Sequence, residues 1–254
     1  MSAHAEQGSQ CASPQGATVP AARFFASRRF CVLAVAGAYL LAEGGLWTAG
    51  AVQRGFIIAA MCWIAACTLL QRRSAKQLGV GLGGLRQSSW LALTALALAV
   101  VLVGVLHGAG WQLPAIQRPI QLWRVGAYSV WAVEQEFILN SFLFLNLEQL
   151  AGTRRAILFS AVIFAIAHIP NPLLMALTLL AGLAFCTAFA RYRNIWPLAV
   201  AHALLGITVA VSVPDGVTHH MRVGLGYRTW HSASAPAPGR PALPPGLDAA
   251  SSVR

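Results

Sequence analysis

Apolar runs long enough to cross a bilayer, joined by short polar links, constrain this chain more than any other feature. A hydrocarbon core about 30 Å thick takes about 20 apolar residues as helix. Candidate runs occupy 30–49, 55–71, 90–107, 122–147, 156–169, 173–190 and 195–213, and the fifth is short enough to be tilted or partly re-entrant. Only helices and closed barrels satisfy their own backbone inside lipid. The pattern therefore predicts an all-α, polytopic transmembrane helix bundle of about seven spans. Composition agrees: 57% of the residues are hydrophobic and 10% are charged, against about 25% charged in soluble domains.

The net charge of +11 does not indicate nucleic acid, because the basic residues are scattered between apolar runs rather than gathered into one patch. In a membrane protein such scatter sets orientation. With a cytoplasmic N-terminus, the inner side holds Arg23, Arg28, Arg29, Arg72, Arg73, Lys76, Arg86, Arg154, Arg155, Arg191 and Arg193. The outer links hold little beyond Arg54, Arg118 and Arg124. A multi-pass protein with a cytoplasmic N-terminus is expected, with the lipid bilayer as its surroundings, and the richness in Arg and Ala points to a bacterial inner membrane.

The first apolar run follows Arg28 and Arg29 and is long enough to span, so no cleavable signal peptide is expected. Residues 1–29 read as a disordered cytoplasmic tail, 30–119 as scaffold helices, 120–213 as the functional core, and 214–254 as a disordered tail rich in Pro, Ser and Gly. Trp47, Trp90, Trp111 and Trp123 fall near span ends and read as interfacial anchors. The glycine-rich stretch 79–85 follows no strand and reads as a juxtamembrane link. The five cysteines form neither a CxxC site nor a disulfide framework.

Ionisable residues within spans default to a functional hypothesis. The segment "VEQEFILNSF" (133–142) places Glu134 and Glu136 inside a span, although the chain has only seven acidic residues. Counted from the cytoplasmic end of each helix at 1.5 Å per residue, Glu136 lies about 16 Å deep, His168 about 20 Å and His202 about 13 Å. Glu43 and His107, near helix ends, read as structural. Three polar residues from three helices thus share one slab near mid-membrane and could meet. A carboxylate in an apolar pocket can take a proton from water, and an imidazole can hold the water or the developing oxyanion. The same residue types also form a common zinc set, and two histidines could ligate a haem. No HExxH is present.

"QEFILNS" (135–141), "FAIAH" (164–168) and "IWPLAVAHALLG" (195–206) resemble the three motifs of the CPBP family of intramembrane endopeptidases. These are related to the CAAX prenyl proteases and to bacteriocin-processing proteins. The family pattern is EExxxR, FxxxH and HxxxN or HxxxD. Phe164, His168 and His202 match it. In the first motif Gln135, Glu136 and Asn140 stand for Glu, Glu and Arg, and Gly206 stands where the third motif has Asn or Asp.

The resemblance implies hydrolysis of a peptide bond in a membrane-protein or lipidated-peptide substrate. Glu136 or Glu134 is then the base, His168 the partner of the water, His202 the oxyanion stabiliser, and Asn140 the residue that orients Glu136. No cofactor is expected, with a divalent metal such as zinc left open. Gln135 and Gly206 also admit a catalytically inactive relative that binds or sorts a membrane partner. The orientation predicts that a reporter active only outside the cytoplasm is active when fused after Pro214 and silent after Arg193; the reverse result overturns it.

Overall fold

The structure, a computed structural model, describes residues 24–110 and 122–230. Its main helices are α1 (Arg28–Leu46), α2 (Gly50–Leu70), α3 (Trp90–Gly108), α4 (Leu122–Glu136), α5 (Leu145–Ala151), α6 (Thr153–Ile166), α7 (Pro172–Tyr192) and α8 (Trp196–Ser212). A π-helical stretch, Phe137–Phe144, joins α4 to α5 without a break. No strand occurs among the described residues.

The helix starts follow from local chemistry. Ser27 caps α1 by accepting the Phe30 N–H at 3.2 Å. Asn171 does the same for α7 from Leu174, with Pro172 in its first turn, where a missing N–H costs no helical bond.

Taken singly, α1, α2, α7 and the stretch Leu85–Gly108 are long and apolar enough to cross a membrane. A fifth crossing requires α8 together with Asp215–Met221, which turn by 118° at their junction. The expectation of about seven spans is thus met by that many helical segments but not by that many full-length apolar spans. Helix α6 has 14 residues, or about 21 Å. Helix α4 has 15 residues before the chain passes into the π-helical stretch.

Burial shows where lipid would lie. On α3 the side chains Leu93, Leu96, Leu98, Val100, Val101 and Val105 are exposed, while Ala95 and Ala99 turn inward. Such a face has no reason to exist in water and none to be avoided in lipid. Because lipid gives helices no hydrophobic reason to associate, close packing must hold them together. On α7 a side chain added at Gly182 would meet the Cα of Ala161 at 3.0 Å, so α6 and α7 approach backbone to backbone. On α1 Gly37 leaves room for the Trp63 ring, whose indole N–H donates to the Ala34 carbonyl at 3.0 Å.

One end of the bundle is polar. Arg193 forks onto Glu148 at 2.7 and 2.8 Å. Gln71 and Arg73 donate to Asn146 Oδ1 at 2.6 and 3.3 Å, and Arg28 donates to the Leu150 carbonyl. The first turn of α1 and the C-terminal ends of α2, α5 and α7 therefore meet on one side. The glycine-rich link is clasped there: Asn194 donates to the carbonyls of Gly81 and Gly83, and the Trp196 indole to that of Val80. Gly84, at φ 75°, lies against the Tyr192 carbonyl, where no side chain fits.

Two boundaries need correction. Of the expected C-terminal tail, residues 214–230 are ordered. Asp215–Thr218 and Gly224–Arg228 form helical turns, and His219 packs on Tyr227 and Trp230 at 4.3 and 4.7 Å. Asn171 fastens them by donating to the carbonyls of Thr218 and Arg222 at 2.9 and 3.1 Å. Composition pointed to disorder because the stretch lacks apolar periodicity; ring stacking and one buried amide replace it. Of the expected N-terminal tail, Phe24 and Phe25 stack edge-on against Phe30. Residues 1–23 and 231–254, like Trp111 and Arg118, lie outside the described residues.

Asn171→Ala removes a helix cap and two further hydrogen bonds, and should cost about 1–3 kcal/mol. Thermal unfolding in detergent would show it. Truncation after Val213 should lower the melting temperature, and truncation after Trp230 should leave it unchanged.

Candidate active site within the bundle

Glu136 is the last residue of α4 and is 0% exposed. A carboxylate so placed must be hydrogen-bonded or lose its charge. Both oxygens are engaged: Oε1 accepts from His202 Nδ1 at 2.8 Å, and Oε2 accepts from Asn140 Nδ2 at 2.7 Å. An ionised carboxylate only accepts, so two N–H donors suit the charged form.

Asn140, also 0% exposed, lies within the π-helical stretch. Wide turns of this kind recur at functional sites, and this one separates the Glu136 turn from α5. Asn140 spends one amide hydrogen on Glu136, and its Oδ1 is buried with no protein partner.

The histidines come from other elements. His168 follows α6 in the turn toward α7, and its Nδ1 lies 2.7 Å from the Phe164 carbonyl. A carbonyl only accepts, so Nδ1 carries the proton and Nε2 presents a lone pair. His202 sits on α8, and its Nδ1, held by Glu136, is protonated by the same reasoning. The Phe164 ring stands edge-on to both imidazoles, at 5.0 Å from His168 and 6.5 Å from His202. Phe185 covers His202 from α7 at 6.2 Å.

Of the six residues singled out in the sequence, Glu136, Asn140 and His202 are joined by hydrogen bonds, and His168 shares the Phe164 ring with His202. Glu134 and Gln135 are partly buried, and neither is among the hydrogen-bond partners of Glu136. Among the described residues, no group of three or more His, Cys, Asp or Glu side chains is placed to hold a metal ion.

Sequence reasoning missed Tyr128. A Cβ built on Gly206 would overlap its hydroxyl and lie 2.7 Å from its Cζ and 2.9 Å from its Cε1. The phenol of α4 thus fills the place on α8 where the third motif ordinarily carries a side chain. The bare glycine four residues after His202 was the one signal pointing to a replacement from elsewhere.

Residues 119–208 match the family model described as Type II CAAX prenyl endopeptidase Rce1-like, consistent with the motif resemblance. The matched segment runs from just before α4 to near the end of α8 and contains every residue of the site. No curated protein and no solved structure matches the chain.

Asn140→Leu keeps the branched side-chain skeleton but removes the amide donor to Glu136 Oε2, and should destabilise the folded protein by about 1–3 kcal/mol. Asn140→Arg, which restores both a donor and the family residue, should be tolerated. Thermal unfolding of the two variants side by side decides the matter.

Proposed function

Taking residues 119–208 as a Rce1-like type II CAAX endopeptidase segment, we propose that the protein is an intramembrane endopeptidase acting on a membrane-protein or lipidated-peptide substrate. The observation that carries this reading is the fully buried Glu136 shared between His202 and Asn140, beside a second imidazole. A charge so costly to bury, given two donors and set against a histidine, is the arrangement that makes an imidazole a strong base.

The hydrogen bonds favour a division of labour different from a glutamate base. Glu136 Oε1 is bonded directly to His202 Nδ1, and in this reading Glu136 acts through His202 as its positioning residue. His202 Nε2 takes a proton from water, and Glu136 stabilises the imidazolium that forms. The hydroxide oxygen bonds to the scissile carbonyl carbon, whose π pair moves to oxygen. Collapse of that intermediate expels the amine, which takes the proton back from His202. His168 Nε2, a lone-pair acceptor, holds the second hydrogen of the water. The reaction as written needs no metal.

A second reading keeps the fold without the chemistry. It rests on Gln135, an amide in the place of the motif's first carboxylate, which cannot accept a proton.

The test uses the full chain in lipid vesicles with a farnesylated CAAX peptide, and mass spectrometry of the released C-terminal fragment. His168→Ala, His202→Ala and Glu136→Gln should each reduce cleavage by roughly 100-fold or more, with membrane insertion retained. Glu134→Gln should be milder, and EDTA should have no effect. Cleavage that survives both His202→Ala and Glu136→Gln sinks the mechanism. A wild-type protein that cleaves neither this peptide nor any membrane protein of its own host favours the inactive reading.

A further inference from the structure

A hydrolytic site needs a hydrogen-bond donor where the carbonyl oxygen gains charge. Around Glu136 the N–H groups already in hydrogen bonds are turned away from an incoming carbonyl, and only the second amide hydrogen of Asn140 is left over. Asn140 Nδ2 and His202 Nδ1 point at the carboxylate, and His168 Nδ1 points at a backbone carbonyl. What remains at both imidazoles is a lone pair on Nε2. With both imidazoles neutral the site can accept protons, yet neither ring can steady an oxyanion at the start of attack.

Tyr128 supplies the missing O–H. Gly206 is one helical turn beyond His202 on the same face of α8, where Cβ positions four residues apart are about 5–6 Å from each other. A helical side chain leans toward the N-terminal end of its helix, so one at 206 would lie over the His202 turn. That position is taken by the Tyr128 phenol, whose hydroxyl overlaps the site of the absent Cβ. Gly206 is what admits it, since any larger residue there would push the ring away.

The phenol is partly buried and is not among the residues that donate a hydrogen bond to a protein group. The exchange is reciprocal: the third motif has lost its side chain at 206, and a hydroxyl from α4 stands in the vacated place.

We propose that Tyr128 is the oxyanion donor of this site, its O–H replacing the side chain that position 206 lacks. The inference rests on the endopeptidase reading. As the water oxygen bonds to the scissile carbon, the carbonyl oxygen gains the π pair and accepts a hydrogen bond from Tyr128 Oη. The phenol keeps its proton throughout, and no charge passes to it.

Steady-state cleavage of the farnesylated CAAX peptide by the full chain in vesicles tests the proposal. Tyr128→Phe keeps the ring and removes only the O–H. It should lower kcat about 100-fold, with KM and the melting temperature little changed. Gly206→Ala should displace the ring and lower kcat similarly. The double variant Tyr128→Ala/Gly206→Asn moves the donor back onto α8, and should recover activity that Tyr128→Ala alone loses.

Wild-type cleavage with an unchanged kcat in Tyr128→Phe overturns the proposal while leaving the endopeptidase reading intact. A drop in Tyr128→Phe that comes with a matching loss of melting temperature and no rescue by the double variant also overturns it, because a packing role explains that pattern. A wild-type protein without activity overturns both readings together.

Discussion

A single negative charge organises the interior of this bundle. Removing a carboxylate from water into a dry protein core costs several kcal/mol, and the Glu136 side chain is wholly enclosed. Two N–H groups make that placement tolerable, and each ties down a different piece of chain. Asn140 fixes the wide turn that follows α4, and His202 fixes the face of α8 turned toward it. Strip either donor away and the charge has no equivalent partner nearby. The relative rotation of α4 and α8 is therefore an electrostatic matter before it is one of apolar fit.

Apolar packing surrounds that bond, and the Phe164 ring of α6 stands edge-on to both imidazoles. The close approach at Gly182 and Ala161 then sets α7 against α6 and brings Phe185 over His202. Small residues let the helices come near, and aromatic edges fill what is left. The result is a buried polar cluster with aromatic rings packed against its imidazoles.

Much of this could be read from the residues before any coordinates. Apolar run lengths announced the helices, because lipid leaves the backbone few alternatives. Glu136 and Asn140, four apart, had to share a helix face, and the depths of His168 and His202 placed them in the same slab. Other features had no local signature. No residue type marks the π-helical turn at 137–144. The ordering of 214–230 depends on Asn171, an amide far away in sequence, and on ring stacking that periodicity does not register. The overlap of Tyr128 with Gly206 joins two helices through a side chain, and no spacing rule connects them. The roles of the donors also required geometry, since which imidazole nitrogen carries the proton follows from what each nitrogen faces in the fold.

The brevity of α6 has a consequence of its own. Its 14 residues rise about 21 Å, roughly 9 Å less than a hydrocarbon core of about 30 Å. A bilayer answers such a deficit by thinning locally or by letting polar molecules sink in beside the short element. The deficit falls at the His168 end, where α6 gives way to the turn before α7. Hydrolysis in lipid, as in the endopeptidase proposed above, would consume a reagent that lipid excludes, and a helix that stops early would give that reagent a way in. On that reading the length of one helix would be a supply route, and lengthening α6 would starve the site without touching a single polar atom in it.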